Sequence, residues 1–259
     1  MKRSQVAAQL YTIRDHLKTP QDTAKSMRKI RSIGYEAVQV SGMGPIGESE
    51  LVKILDGEGL KCCATHEPTA AIFNETQKVI DRLHQLGCAY TAIPHYGQFL
   101  GETAESMRAF AAMCDKAGMA MKNAGIVLTY HNHNDEFRKI GGELILERIY
   151  ALTDPANLQG EIDTYWVQAG GGNPVEWCAR LKNRLPLLHM KDFGVNGESR
   201  GVFAEIGNGN LDWKAIIAAA EGSGAKWFIV EQDGDWLGGD PFASLKVSFE
   251  YIAGNLAKQ

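Results

Sequence analysis

The sequence predicts a single (β/α)8 barrel over residues 1–259, an α/β domain whose parallel strands close into a ring. Three observations predict it. Eight short runs rich in β-branched and apolar residues recur along the chain, segments with helical spacing separate them, and no GxGxxG follows an early run. Strands that alternate with helices pair in parallel, because parallel neighbours need a crossover connection. Eight such units in about 250 residues match a closed barrel. The rival open sheet should carry a phosphate-binding turn, but "SGMGPIG" has the wrong spacing and precedes a polar stretch.

The first run, 6–11 (VAAQLY), is followed by "TPQDTAKSMRKIRSIG". There Thr19 can cap a helix, Pro20 suits its first position, Asp22 favours its positive end, and Gly34 can end it in a left-handed turn. Ala24, Met27, Ile30 and Ile33 fall on one side, the spacing of a buried stripe. The next runs are 35–40 (YEAVQV), 60–65 (LKCCAT) and 90–95 (YTAIPH). They are followed by 126–131 (IVLTYH), 158–163 (LQGEID), 185–190 (LPLLHM) and 227–232 (WFIVEQ). Gly59, Gly87, Gly125 and Gly224 stand just before four of them, where a helix stops and turns into a strand. No Pro/Ser/Gly linker or low-complexity run divides the chain, so one domain is expected.

Composition excludes several classes of partner. Charged residues make up 22% of the chain and the formal net charge is -4, which gives no basic field for nucleic acid and no polybasic membrane patch. The five cysteines are odd in number and lack CxxC spacing, so they read as buried small apolar residues in a reducing compartment. The start, "MKRSQVAAQLYTIRD", has no apolar run of signal-peptide length, and no stretch approaches the roughly 20 apolar residues of a membrane span. A soluble cytoplasmic protein is expected.

Chemistry collects at the C-terminal ends of the runs. Tyr11 and Arg14 follow the first, Gln39 lies in the second, His66 and Glu67 follow the third, and His95 ends the fourth. Then come His131 and His133, Asp163, His189 with Lys191, and Glu231. In a closed barrel all eight ends open on one face, where active sites of this architecture are built. Alternate side chains point inward, so His131 and His133 share a direction, as do His189 and Lys191. Buried charges need partners or a metal. His131, Asp163, His189 and Glu231 supply one imidazole or carboxylate from each of the last four strands, a mixed nitrogen and oxygen set. Such a set suits manganese, cobalt, iron or zinc better than calcium.

"YHNHNDEF", "EIDTYW", "HMKDF", "EIGNGNLDW" and "VEQD", in this order, resemble the sugar phosphate isomerase/epimerase family, the xylose-isomerase-like TIM barrels, over essentially the whole chain. The resemblance implies one divalent metal, manganese first and zinc, cobalt, iron or magnesium after it. Relatives hold it by a Glu, an Asp, a His and a Glu. Asp163, His189 and Glu231 match these positions, and His131 stands where the first Glu is expected. Ketose epimerases of the family use two glutamates on opposite faces of the substrate and carry a His where this chain has Trp166. "YHNH" looks more like the branch of inosose dehydratases and enzymes acting on 3-keto-sugars.

The resemblance implies an isomerase or epimerase acting on a sugar or keto-sugar through an enediolate. The alternative is a dehydratase or lyase acting on an inosose or 3-keto-glycoside. Glu231 is the expected base, with Lys191 and His133 as further catalytic groups and His66, His95, Glu136 and Trp166 as substrate contacts. A small carbohydrate is the expected partner, and relatives imply a dimer or tetramer. An endonuclease IV-like nuclease would need three metals, more ligands and a basic groove. A non-catalytic sugar-binding barrel would not need four converging ligands. His16 and His84 sit in helical contexts and read as solvated.

Overall fold

A computed structural model describes residues 1–258. All eight runs are strands: β1 (Val6–Gln9), β2 (Ala37–Val40), β3 (Lys61–His66), β4 (Tyr90–Ile93), β5 (Val127–His131), β6 (Gln159–Asp163), β7 (Leu187–Met190) and β8 (Trp227–Val230). They form one closed parallel barrel in chain order, β1 pairing with both β2 and β8. Several strands end before the runs do. β4 stops at Ile93 because Pro94 has no N–H for the ladder, and Tyr11 already lies in a 3-10 segment (Leu10–His16).

Helix Pro20–Ile33 starts and stops as its punctuation predicts. The Thr19 hydroxyl accepts from the Asp22 N–H at 3.1 Å, and Gly34 has φ +123°. Its buried stripe is Thr23, Ser26, Met27 and Ile30, while Ala24 and Ile33 are only half-buried. The face is rotated toward two small hydroxyl side chains. Ser26 explains part of this, because its hydroxyl donates to the His16 carbonyl at 2.9 Å.

Period two along the strands builds two different interiors. Outward residues such as Val38, Leu128, Ile162, Leu188 and Phe228 join the helices in the main core. Inside the barrel, Ala7, Ala37, Cys63, Leu187 and Ile229 form a small apolar plug. The next inward residues are polar: Gln9, Gln39, Thr65, Thr91, Thr129, Glu161 and His189 are all buried. Burying them is costly unless each is hydrogen-bonded. Thr65 accordingly donates to Thr91 at 2.8 Å and Gln9 to Gln39 at 2.8 Å. This polar layer is the floor of the site.

The segment after Lys191 is a two-stranded ribbon, Asp192–Val195 with Gly201–Ala204, followed by the "EIGNGNLDW" turn. Asp192 holds the turn. Its carboxylate accepts from the backbone N–H of Phe193, Gly207, Gly209 and Leu211 and from the Trp213 indole at 2.7 Å. A Cβ at Gly209 would meet Asp192 Oδ1 at 2.3 Å, so only glycine fits there. Asp192→Ala would orphan the buried Trp213 indole and four half-buried backbone N–H groups at once, and the expected loss is about 3 kcal/mol, read by urea denaturation. A change below about 1 kcal/mol would show that other contacts hold the turn.

Candidate active site

Register sets the chemistry at one level of the barrel. His131 pairs with Glu161 across β5 and β6, Asp163 with His189 across β6 and β7, and Glu231 follows β8 with its N–H donating to Met190. Asp163 ends its strand and caps the short helix Thr164–Ala169, its Oδ1 accepting from the Trp166 N–H at 2.9 Å. The other oxygen, Oδ2, is buried and pairs with the Lys191 ammonium at 3.0 Å. It lies 3.9 Å from His131 Nε2 and 3.8 Å from His189 Nδ1, and His189 Nδ1 lies 3.0 Å from Glu231 Oε2. These four side chains, one from each of the last four strands, are buried with donor atoms within 4.8 Å of one another. Two carboxylates and two imidazoles fit a divalent cation, which would share Asp163 Oδ2 and Glu231 Oε2 with the Lys191 ammonium.

Beneath this set lies a second convergence. Glu161 Oε1 accepts from Gln39 Nε2 at 2.9 Å, sits 3.0 Å from His66 Nε2, and contacts His189 Nε2. Its Oε2 accepts from the Thr129 hydroxyl at 3.3 Å. His131 Nδ1, buried with no hydrogen-bond partner, faces the same carboxylate at 4.0 Å. His189 thus spans two acids, with Nδ1 toward Glu231 and Nε2 toward Glu161.

Lys191 reaches into the site from just beyond β7. Its ammonium lies 3.0 Å from Asp163 Oδ2, 2.7 Å from Glu231 Oε2 and 2.8 Å from Asp233 Oδ2, and the side chain is 1% exposed. Three carboxylates offset the cost of burying one ammonium.

The electrostatics follow from these contacts. Burial disfavours the charged form of His131, and the neighbouring His189, His66 and His133 add to this, so its pKa falls well below the usual imidazole range. Burial, with Lys191 and His95 nearby, takes His133 down to about 3. Both rings are neutral near pH 7, the form that binds metals. Burial would lower His189 too, but Glu161 and Glu231 outweigh it and push His189 up to about 10. Burial raises Asp163 to about 6, against the pull of Lys191 and His189. Glu231 is depressed because Lys191 and His189 overcome its burial, and Glu161 is held low in the same way by His189 and His66.

Above the cluster opens a cavity of about 560 Å³ lined by Tyr11, Arg14, Ser41, His66, Pro94, His95, His131, His133, Trp166, Lys191, Phe203, Glu231 and Asp233. Three of its lining groups, His133 Nδ1, Trp166 Nε1 and Asp233 Oδ1, are buried without hydrogen-bond partners. Buried polar groups are normally paired, so these three make the cavity wall polar and able to hydrogen-bond what enters it. Trp166 and Phe203 pack edge to face at 5.8 Å, and the Lys191 ammonium lies 5.4 Å from the Trp166 ring. Wider depressions among the outer helices hold none of the His, Asp and Glu clusters found among the described residues.

The structure brings most of the expected site residues together. His131, Asp163, His189 and Glu231 form one cluster of possible metal donors, His66, His131, Glu161 and His189 a second, and His95, His133 and Glu136 a third. Lys191, His133, His66, Trp166 and His95 line the cavity, with His95 at its exposed edge, 3.4 Å from Asp135. Glu136 lies outside it. Fully buried, it accepts from the Tyr130 hydroxyl at 2.6 Å and from the His133 N–H at 2.8 Å. Glu67 also turns away, to Arg82 at 3.0 Å.

Sequence reasoning assigned no role to Glu161 or Asp233. Glu161 has the same strand parity as Asp163, two residues on, so period two alone could have pointed it inward. Asp233 stands two residues past Glu231 in "VEQD", beyond the last ladder residue, where strand alternation gives no direction.

Known proteins place the chain in a family. The model of the xylose isomerase-like TIM barrel matches residues 27–253. An inosose dehydratase of Lacticaseibacillus casei is 23% identical over 257 residues, covering 85% of this chain and 85% of that protein. One from Geobacillus kaustophilus (strain HTA426) is 27% identical over 199 residues, 66% of this chain and 64% of that protein. Among solved structures, a sugar phosphate isomerase/epimerase from Parabacteroides distasonis ATCC 8503 superposes with a TM-score of 0.82 at 24% identity, covering 98% and 95% of the two chains. An L-ribulose 3-epimerase superposes with a TM-score of 0.73 at 16% identity, covering 98% and 94%. At these identities the structures show a shared fold. With most of its length matched by one family model and its eight strands closed into the same barrel, this chain belongs to the xylose isomerase-like TIM barrel family.

Proposed function

We propose that this protein is a divalent-metal-dependent enzyme that removes a proton next to the carbonyl of a sugar or keto-sugar. The observation that carries the reading is the set His131, Asp163, His189 and Glu231, converging at the floor of a cavity lined by polar groups. A bound divalent ion would supply Lewis-acid polarisation of adjacent carbonyl and hydroxyl oxygens. Glu231, ionised and bordering the cavity, accepts the proton. Lys191 holds a proton against three carboxylates and lies where it can donate to a departing or re-forming oxygen. Trp166 and Phe203 give an apolar wall, and His66, His95 and His133 grip hydroxyls.

Returning the proton makes an isomerase or epimerase; expelling the β-oxygen makes a dehydratase. Among the cavity's lining residues the only carboxylates are Glu231 and Asp233, neighbours in the chain, and the wall around His131, His133 and Trp166 carries none. That asymmetry supports one-base elimination from an inosose or 3-keto-glycoside as strongly as it supports isomerisation, and relatives named inosose dehydratase support the same branch. Manganese is the preferred ion, with zinc, cobalt, iron or magnesium next.

Incubation with manganese and a panel of ketoses, ketose phosphates, inososes and 3-keto-glycosides in deuterated water, followed by NMR, tests the reading. Deuterium beside a carbonyl in one class supports it, and the product separates isomerase, epimerase and dehydratase. No exchange in any class, with metal bound, would refute it. His131→Ala removes one donor, so calorimetry should show metal affinity falling at least about tenfold with the melting temperature of the metal-free protein nearly unchanged.

A further inference from the structure

We infer that Glu161 is a positioning residue for the metal centre, aligning both of its imidazole donors from behind. The inference rests on the metal reading above and adds a residue that reading does not use. Each imidazole has two nitrogens, and the one that faces a metal is fixed by the partner of the other. His189 turns Nδ1 toward Glu231 and Asp163, and its Nε2 contacts Glu161 Oε1 and lies 2.6 Å from the Oε1 of Gln39, whose amide nitrogen is itself bound to Glu161. His131 turns Nε2 toward Asp163, and its partnerless Nδ1 looks at the same Glu161 oxygen from 4.0 Å. One carboxylate therefore faces the rear edge of both rings.

Glu161 is itself held in place. Gln39 donates to it at 2.9 Å and is fixed by Gln9 at 2.8 Å, and Thr129 donates to its other oxygen at 3.3 Å. The carboxylate has no exposed surface. Gln39, Thr129, His66 and His189 satisfy this carboxylate, while His131 Nδ1 faces it at 4.0 Å without a hydrogen bond and is held by charge and packing alone. Glu161 also brings a third negative charge to a donor set that has only Asp163 and Glu231. Moving that charge from position 161 to position 131 keeps it beside the cation position.

Calorimetric titration of manganese into the metal-stripped full-length protein reads the inference. Glu161→Gln, close to isosteric, should weaken manganese binding by about 10–100-fold, the usual effect of losing such a partner. Glu161→Asp should fall between this and wild type. His131→Glu alone puts a second carboxylate against Glu161 and should also weaken binding. The double variant His131→Glu/Glu161→Gln should recover to within about tenfold of wild type. A merely structural Glu161 would give no such recovery. Wild-type affinity in folded Glu161→Gln, or a double variant weaker than both singles, overturns the inference while leaving the metal reading intact. If Glu161→Gln does not fold, Glu161→Asp and the double variant decide. Wild type that binds no manganese overturns both.

Discussion

Glu231→Gln should lower proton exchange at the substrate carbon by about 10²–10⁴-fold even with manganese at saturation. Glu231 combines three properties that the other acids of the site do not share. It borders the cavity, whereas Glu161 is sealed beneath it. It is ionised, held low by Lys191 at 2.7 Å and His189 at 3.0 Å, whereas burial raises Asp163 to about 6. It also keeps 5% exposure, where Asp163 and Glu161 have none, so a proton taken from carbon can exchange with solvent. Glutamine keeps the shape and cannot accept the proton. Manganese affinity should fall too, so the comparison is made with metal in excess and binding measured separately. Full exchange in the saturated variant would remove Glu231 from the role of base.

Metal affinity should tighten about tenfold for each pH unit from near pH 6 toward pH 10, because a donor nitrogen must shed its proton before it can bind. In the metal-free protein His189 is an imidazolium, pushed up to about 10 by Glu161 and Glu231 against the effect of burial. Each ion bound through His189 Nδ1 therefore releases a proton at neutral pH. Below about pH 6 protonated Asp163 adds a second proton, and the slope steepens toward 100-fold per unit. The same shift acts on the fold. A histidine whose folded pKa lies above its usual 6.5 stabilises the native state fully below that value, and the contribution is lost as pH rises through about 10. The metal-free barrel should thus weaken from pH 7 to 10 while manganese stabilises it more. Melting curves with and without manganese across this range check both signs. A pH-independent metal shift would place the ion away from His189.

Much of the barrel was legible because its signals are local. Each strand announces itself by a short β-branched or apolar run, and each glycine stop is required by one backbone angle. Gly34 at φ +123° and Gly125 at φ +79° both end helices where expected. The four-residue cluster was legible because each member ends a different strand, and the ends of a closed barrel meet by geometry.

What escaped depends on contacts between distant strands. Glu161 reads as any strand carboxylate until Gln39, His66 and His189 are seen around it, from β2, β3 and β7. Glu136 shows the converse. A charged residue in a polar loop looked available for substrate, and the fold spends it on the Tyr130 hydroxyl and the His133 amide. Lys191 looked like a free donor, but Asp233, which holds it at 2.8 Å, lies 42 residues away.

The central claim is that the His131, Asp163, His189 and Glu231 cluster holds the metal that supports proton removal. Deuterium incorporation from solvent into the substrate that responds best in the panel, followed in metal-stripped and manganese-reloaded protein, tests it most directly. The account predicts no exchange after stripping, recovery at one manganese per chain, and no recovery in Asp163→Ala. Exchange that persists in the stripped protein, or that recovers fully in Asp163→Ala, would contradict it.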